Sequence, residues 1–378
     1  MPASSYQLLL DGQAADDDFY TQLNSLEVEE NLELPGAFQL HLPVSRTDTG
    51  ELTFVNDSRF RPLASFAVVA SVEGLPDECI FDGVVLSHKL HLQTGTTSST
   101  LEVWGQDASW LMNLEEKVKE WVDVTDAQVA ESIFGDYGIE PAEDNDLDES
   151  PTHPESGHSL MQHGSDIQFL RTLAKRTGKV VRVVCADKPG VRTGFFAKPN
   201  LDASPATTLV LNDPESWTVD ALDLEWDMTR PTSVKTRQAF LGEDQPAEGV
   251  AGDTDDSGLP LLDDRDLATF SGQPMTALLT APVDDAGELS MRAAAVLRDS
   301  DWFVRCQGEA DVARLNLVLR AGSVVELAGI GSLHSGKYLV WSVRHTITQD
   351  SHRMRFSLMR NAVGPEPLSA GGLLGGLP

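Results

Sequence analysis

M-Q-H-G-S-D-I-Q-F-L-R-T-L-A-K-R-T-G-K-V-V-R-V-V, residues 161–184, reads as a helix, a stop and a strand. Ser165 with Gln168 three places on fits a capping box, in which each side chain satisfies an orphan backbone N–H. Ile167, Leu170 and Ala174 recur at helical spacing, and Phe169 and Leu173 widen the apolar stripe. Lys175 and Arg176 fall in the last turn, where positive charge suits the helix dipole. Gly178 can adopt the left-handed conformation that ends a helix, and Val180, Val181, Val183 and Val184 favour a strand. The pattern predicts a helix packed on a sheet and carries no catalytic chemistry of its own.

Strand patterns lie on both sides of it. Residues 6–10 form a short strand before Asp11-Gly12. Leu26 and Val28, then Phe38, Leu40 and Leu42, alternate with polar residues around the Pro35-Gly36 turn and predict a strand pair. Residues 68–72 add a strand, and residues 80–105 a long antiparallel hairpin across a Thr/Ser/Gly loop. Residues 107–114 read as a helix docking Trp110 and Leu111; residues 126–137 read as a second, capped by Thr125 and stopped by Gly138. Residues 140–163 form a polar acidic loop. Strands follow at 180–185, 193–196, 207–211, 222–228 and 234–240, with an acidic Gly/Asp/Ala loop or insertion at 242–258 and a helix at 288–299. Further strands cover 303–309, 324–327 and 337–348. Residues 337–361 close as a second alternating hairpin, as duplication of one small barrel would leave. Residues 362–378, rich in Gly, read as a flexible end.

With 378 residues the chain can hold two or three domains, and 41% hydrophobic content is ordinary for a globular protein. The N-terminus lacks the basic and apolar regions of a secretory signal, and no apolar run approaches a membrane span. Net charge is −31, from 28 basic and 59 acidic residues. Such a surface repels nucleic acid and anionic membrane, so stable nucleic-acid binding and membrane insertion are excluded. The charge suits a channel wall or a saline habitat equally. Cys79, Cys185 and Cys306 are odd in number and far apart. They read as buried free thiols in a reducing compartment.

Three separated segments share a resemblance. Ser165, Asp166, Phe169, Leu170, Leu173, Ala174 and Gly178 spell S-D-x-x-F-L-x-x-L-A-x-x-x-G. The first hairpin opens as F-x-G-V-V from Phe81 through Gly83 to Val85, and ends as L-x-V-x-G from Leu101 to Gly105. The closing hairpin carries Tyr338, Val340, Val343 and His345, then Phe356, Leu358, Arg360 and Asn361. In this order they resemble the hub proteins of contractile tails: the late control protein D family of phages and the hub part of the type VI secretion spike protein VgrG. The resemblance implies an α+β, mainly β fold with two similar small antiparallel barrels joined by a helical middle. Its divisions would be a first barrel at 1–108, a connector at 109–215, a second barrel at 216–362 with an insertion at 242–300, and a tail at 363–378.

It further implies a homotrimeric, pseudo-sixfold baseplate ring that adapts a sixfold inner tube to a threefold spike. Two similar barrels per chain let three chains offer six near-equivalent contacts. Expected partners are a separate spike protein, since the chain stops soon after Asn361, an inner-tube or tube-initiator protein, and baseplate wedge components. The expected location is cytoplasmic before assembly, then a phage tail or injection-particle baseplate.

His153, His158 and His163 are evenly spaced, but intervening Pro and Gly speak against a fixed zinc geometry. Asp16-Asp17-Asp18 and the cluster Asp144, Asp146, Asp148 and Glu149 lack the Gly of a calcium loop. No nucleophile elbow, zinc-protease or phosphate-loop motif occurs. The seven tryptophans read as core or interface anchors. No catalytic, cofactor-binding or metal residue is therefore expected, and no cofactor. A tail-associated cell-wall hydrolase and a carbohydrate-binding β module are the alternatives.

Overall fold

The computed structural model describes residues 4–94, 99–143, 145, 152–155, 160–238, 247–251, 257–281, 283 and 286–365. The fold is mainly β with few helices. The chain divides into two units: residues 1–199, 309–322 and 341–356, and residues 200–308, 323–340 and 357–378.

The first unit opens with β1 (Ser4–Leu10), β2 (Gln13–Ala14), α1 (Asp17–Gln22), β3 (Ser25–Asn31), β4 (Ala37–Pro43), β5 (Ser65–Val72), β6 (Glu78–His91) and β7 (Thr100–Asp107). Then come β8 (Glu116–Trp121), β9 (Val124–Thr125), α2 (Asp126–Asp136), β10 (Glu140–Pro141), β11 (Thr152–His153), β12 (Leu160–Ser165), α3 (Asp166–Thr177), β13 (Val180–Cys185) and β14 (Arg192–Ala197). The second unit holds β15 (Thr208–Val210), β16 (Val219–Trp226), β17 (Ser233–Gln238), β18 (Ala247–Ala251), α4 (Leu267–Ser271), β19 (Thr276–Leu279), α5 (Ala286–Ser300) and β21 (Val324–Ala328). Three strands have residues in both units: β20 (Val304–Asp311), β22 (Gly336–Ile347) and β23 (His352–Arg360). The short α6 (Val312–Leu315) follows β20 in the first unit.

In the first unit the strand order is β2-β1-β5-β6-β7-β4-β3-β22, antiparallel throughout. The alternation read from sequence sets the faces: Leu26 and Val28 on β3, and Phe38, Leu40 and Leu42 on β4, are buried. In the second unit β16-β20-β23-β22 continues to β21 and β15, and β18-β17-β19 forms a separate small sheet. Among the described residues these pairings leave the sheet of each unit open, so no closed barrel is drawn.

A second core in the first unit lies under α2 and α3. Ile167, Phe169, Leu170, Leu173 and Ala174 of α3 are buried with Val129, Ile133 and Phe134 of α2 and Phe196 of β14. This is the apolar stripe expected from the opening stretch. Gly178 ends α3 in the left-handed region at φ 65°.

Several local expectations change. Ser165 is the N-cap residue of α3 but makes no cap hydrogen bond, because its hydroxyl donates to Asn113 instead, at 2.6 Å. The working capping box is Thr125 with Gln128, at the start of α2. The segment 107–114 is a tight 3₁₀ turn, Ala108–Asn113, that buries Ala108 and Met112 while Trp110 and Leu111 stay half-buried. The acidic loop 140–163 ends in β12, which pairs with β8; neither strand carries clean alternation. Within 242–258, β18 pairs with β17, so hydrogen bonding supplies what the Gly/Ala composition does not advertise. Ala362 and Val363, expected in a flexible end, are fully buried, and Val363 exchanges backbone hydrogen bonds with Arg265.

The cysteine reading also changes. Cys79 on β6 and Cys185 on β13 form a disulfide, with Cα atoms 5.8 Å apart across a sequence separation of 106. Their meeting depends on the packing of β13 near β6, which spacing along the chain cannot reveal. Cys306 is free and buried, and burial pushes its thiol up to about 12. Two of the three cysteines are therefore not free thiols, and the expectation of a reducing compartment loses its basis.

Candidate functional site

The signature residues of the opening stretch form a buried polar anchor. Asp166, 1% exposed at the first turn of α3, receives three donors: Lys117 Nζ at 2.6 Å, Tyr137 Oη at 2.7 Å and Gln162 Nε2 at 2.7 Å. Trp121 Nε1 in turn donates to Gln162 Oε1 at 3.1 Å. One carboxylate thus ties α3 to β8, to β12 and to the end of α2. Burial opposes its charge, but the Lys117, Gln162 and Tyr137 donors outweigh burial and hold the carboxyl below its usual range. Burial, and then the Asp166 hydrogen bond, push Tyr137 up to about 12.

The glycines of the first hairpin mark close backbone approach. A Cβ at Gly105 would lie 2.0 Å from Val84 O and 2.5 Å from the Phe38 ring. At Gly83 it would lie 2.0 Å from Gln106 O. Only glycine fits there, and the room it leaves lets Phe38 stack on Phe66 with centroids 3.8 Å apart.

A buried charge cluster adjoins this core. Glu30 continues the inward register of Leu26 and Val28 on β3. Arg320 Nε meets Glu30 Oε1 at 2.7 Å, and its Nη1 meets Glu78 Oε2 at 3.3 Å. Arg182 Nη1 donates to Ala321 O at 2.6 Å. Burial raises the Glu30 carboxyl against the pull of Arg320, and draws Arg182 down to about 10. A cavity of about 30 Å³, room for little more than water, is lined by Glu30, Arg182 and Arg320. Beside the cluster, His345 Nδ1 lies 3.1 Å from His352 Nε2, and His345 Nε2 is 3.9 Å from Glu30 Oε1. Burial holds both imidazoles neutral, with His352 lowered to about 4.

In the second unit the closing motif does similar work. Arg360, fully buried, pairs with Asp263, donates to His334 O and lies over the Tyr338 ring at 5.0 Å. Asn361 donates to Pro260 O at 2.9 Å and accepts from Leu262 N at 3.0 Å. Together they fasten the segment 260–263.

Those candidate metal ligands that lie among the described residues take other places. His153 Nε2 contacts Asp126 Oδ1 at 2.8 Å, and Arg176 Nη2 donates to the same oxygen at 2.6 Å. His163 lies on β12 opposite Val118, and His158 lies outside the described residues. Asp16 caps α1 by accepting from Phe19 N, with Asp17 and Asp18 in the first turn. Asp144, Asp146, Asp148 and Glu149 fall outside the described residues. Among the described residues no three His, Cys, Asp or Glu side chains gather as a metal would need. No helix among them is long and apolar enough to cross a membrane.

The polar groups legible as motifs thus act as fasteners. Sequence reasoning missed Glu30, Arg182 and Arg320. The signal for Glu30 was present, as a carboxylate in phase with Leu26 and Val28.

The fold is that of phage tail proteins. The 43 kDa tail protein of prophage MuSo2 from Shewanella oneidensis superposes with a TM-score of 0.66 at 14% identity, covering 96% of this chain and 100% of that one. A tail protein from Neisseria meningitidis MC58 gives 0.64 at 13% identity, over 95% and 97%. The E. coli c3393 protein, a type VI secretion component described as similar to the T4 tail proteins gp27 and gp5, gives 0.53 at 13% identity, over 92% and 76%. No curated protein matches the sequence. The chain belongs to the Alg8 N-terminal domain family, whose model matches residues 2–349.

Proposed function

We propose that this chain is the structural baseplate hub of a contractile phage tail or of a phage-derived injection system. In this reading it is a homotrimer that adapts a sixfold inner tube to a threefold spike carried by a separate protein. Residues 1–108 and 216–362 supply two related barrel-like parts, and 109–215 connects them. Partners are the spike, the inner tube or its initiator, and the baseplate wedges. The role is mechanical rather than enzymatic, and the chain passes from cytoplasm to assembled particle. This is the arrangement of the late control protein D and VgrG hubs that the three sequence segments resemble.

The observation that carries the reading is end-to-end agreement of fold with the Shewanella tail protein, 96% of one chain on 100% of the other. The buried fasteners at Asp166, Glu30 and Arg360 support it, because a part under axial load gains from rigid, specifically joined elements. Light scattering on the purified chain, alone and with its cognate spike, tests it. The proposal expects about 123 kDa, three times 41.0 kDa, in at least one of the two samples. A monomer under both conditions sinks it.

A further inference from the structure

Apart from the buried fasteners, part of one strand edge in the first unit is left open beside a cleft. β1 pairs with β5 over Ser4 to Leu10, but with β2 only at Leu9 and Leu10. Leu8 shows which way the edge groups point: its N–H donates to Tyr20 Oη at 2.8 Å, and its carbonyl accepts from Ala15 N. Backbone groups two residues apart on a strand point the same way, so the N–H and C=O of Tyr6 face outward with those of Leu8. No partner among the described residues takes them.

Tyr6 also lines a cleft of about 520 Å³, within the size range of ligand sites, together with Tyr20 and the β22–β23 turn at Thr348, Gln349, Asp350 and Ser351. The walls are held in place. Tyr6 and Tyr20 meet edge to face at 5.5 Å. Gln349 Nε2 donates to Thr21 O at 3.0 Å, and Thr348 N to Ser351 O at 2.9 Å.

We infer that this cleft receives an extended basic segment of a partner protein, whose backbone pairs with the free N–H and C=O of Tyr6 at the edge of β1. Edge N–H and C=O groups are matched best by another backbone, and flanking walls then choose the side chains. Asp350 is the acidic wall residue, and the chain as a whole carries −31. Lysine or arginine on the incoming strand is therefore the complementary choice. The inference stands on the first unit alone and does not require the hub reading.

Fluorescence anisotropy with the full chain tests it. Three labelled peptides serve as probes: T-K-V-K-V-K-T, the same peptide N-methylated on alternate amides in either phase, and T-E-V-E-V-E-T. The basic peptide is expected to bind saturably. Methylation in one phase removes the edge hydrogen bonds and should weaken binding at least about tenfold. The glutamate peptide should bind at least about tenfold more weakly, and Asp350→Lys should narrow that gap. Tyr6→Pro removes the outward N–H at a position where an edge strand accepts proline, and should weaken binding similarly; if that variant does not fold, the methylated peptides still decide. Equal binding of parent and methylated peptides in both phases overturns the inference, as does no saturable binding of the basic peptide. Self-association of the chain that Tyr6→Pro abolishes also overturns it, by making the occupant a second copy.

Discussion

Replacing Asp166 by alanine should loosen the joint between α3, β8, β12 and α2. The carboxylate is 1% exposed and takes donors from Lys117, Tyr137 and Gln162. Removing one member of a buried ion pair costs about 3–5 kcal/mol, because the remaining polar groups lose their partner. Lys117 retains 30% exposure of its side chain and can turn to water, so the low end, about 3 kcal/mol, applies. Against a total stability of about 5–15 kcal/mol this is a large fraction. With a urea slope of about 3 kcal/mol/M, the midpoint should fall by about 1 M. Asp166→Asn keeps the shape and an acceptor oxygen but loses the charge, and should cost roughly half as much. A double-mutant cycle with Lys117→Met should give a coupling above about 1 kcal/mol. Because the donors hold the Asp166 carboxyl below its usual range, this contribution is present above the unfolded-state value of about 4. It is lost as pH falls through the lower folded-state value. A urea midpoint for Asp166→Ala within about 0.2 M of the parent would refute the argument that the signature aspartate is a fastener.

Other outcomes follow from the same geometry. Gly105→Ala forces a Cβ to within 2.0 Å of Val84 O and should cost at least about 3 kcal/mol in urea melts, whereas Gly135→Ala, inside α2 with open space around it, should stabilise by about 0.5–1 kcal/mol. Reducing the Cys79–Cys185 bridge, or Cys79→Ser, should lower stability by about 2–4 kcal/mol, since a separation of 106 residues closes a long loop; intact-mass analysis under non-reducing conditions checks that the bond forms. His352 stays neutral in the fold to about pH 4, while the unfolded chain protonates near 6.5, so stability should fall as pH drops through that window, by about 3 kcal/mol at most. The melting temperature of His352→Gln should depend less on pH between 7 and 4 than that of the parent.

Much of this molecule could be read from residue order. Alternation at Leu26, Val28, Phe38, Leu40 and Leu42 located β3 and β4, and the spacing of Ile167, Leu170 and Ala174 located α3 and its buried face. What escaped was built by partners distant in sequence. β8 lacks alternation because it is exposed along most of its length and buries only Trp121, and β12 because it turns the polar Gln162 inward to meet Trp121 and Asp166 of α3. β18 draws its definition from pairing with β17. The disulfide joins residues that only tertiary packing brings together. The local neighbours of Ser165 predict a capping hydrogen bond, yet a partner at Asn113, 52 residues away, claims its hydroxyl. The charged core cluster escaped for a related reason. Glu30 sits in phase with apolar residues, but the argument for burying it needs Arg320, on the far side of the chain.

The most direct test is electron microscopy of the particle that contains this chain, with the chain located by a small inserted tag. The account predicts three copies forming one collar at the junction of inner tube and spike, each copy meeting two neighbouring tube subunits. Density for the chain on the sheath or the outer baseplate, or a ring of six copies at the junction, would contradict it.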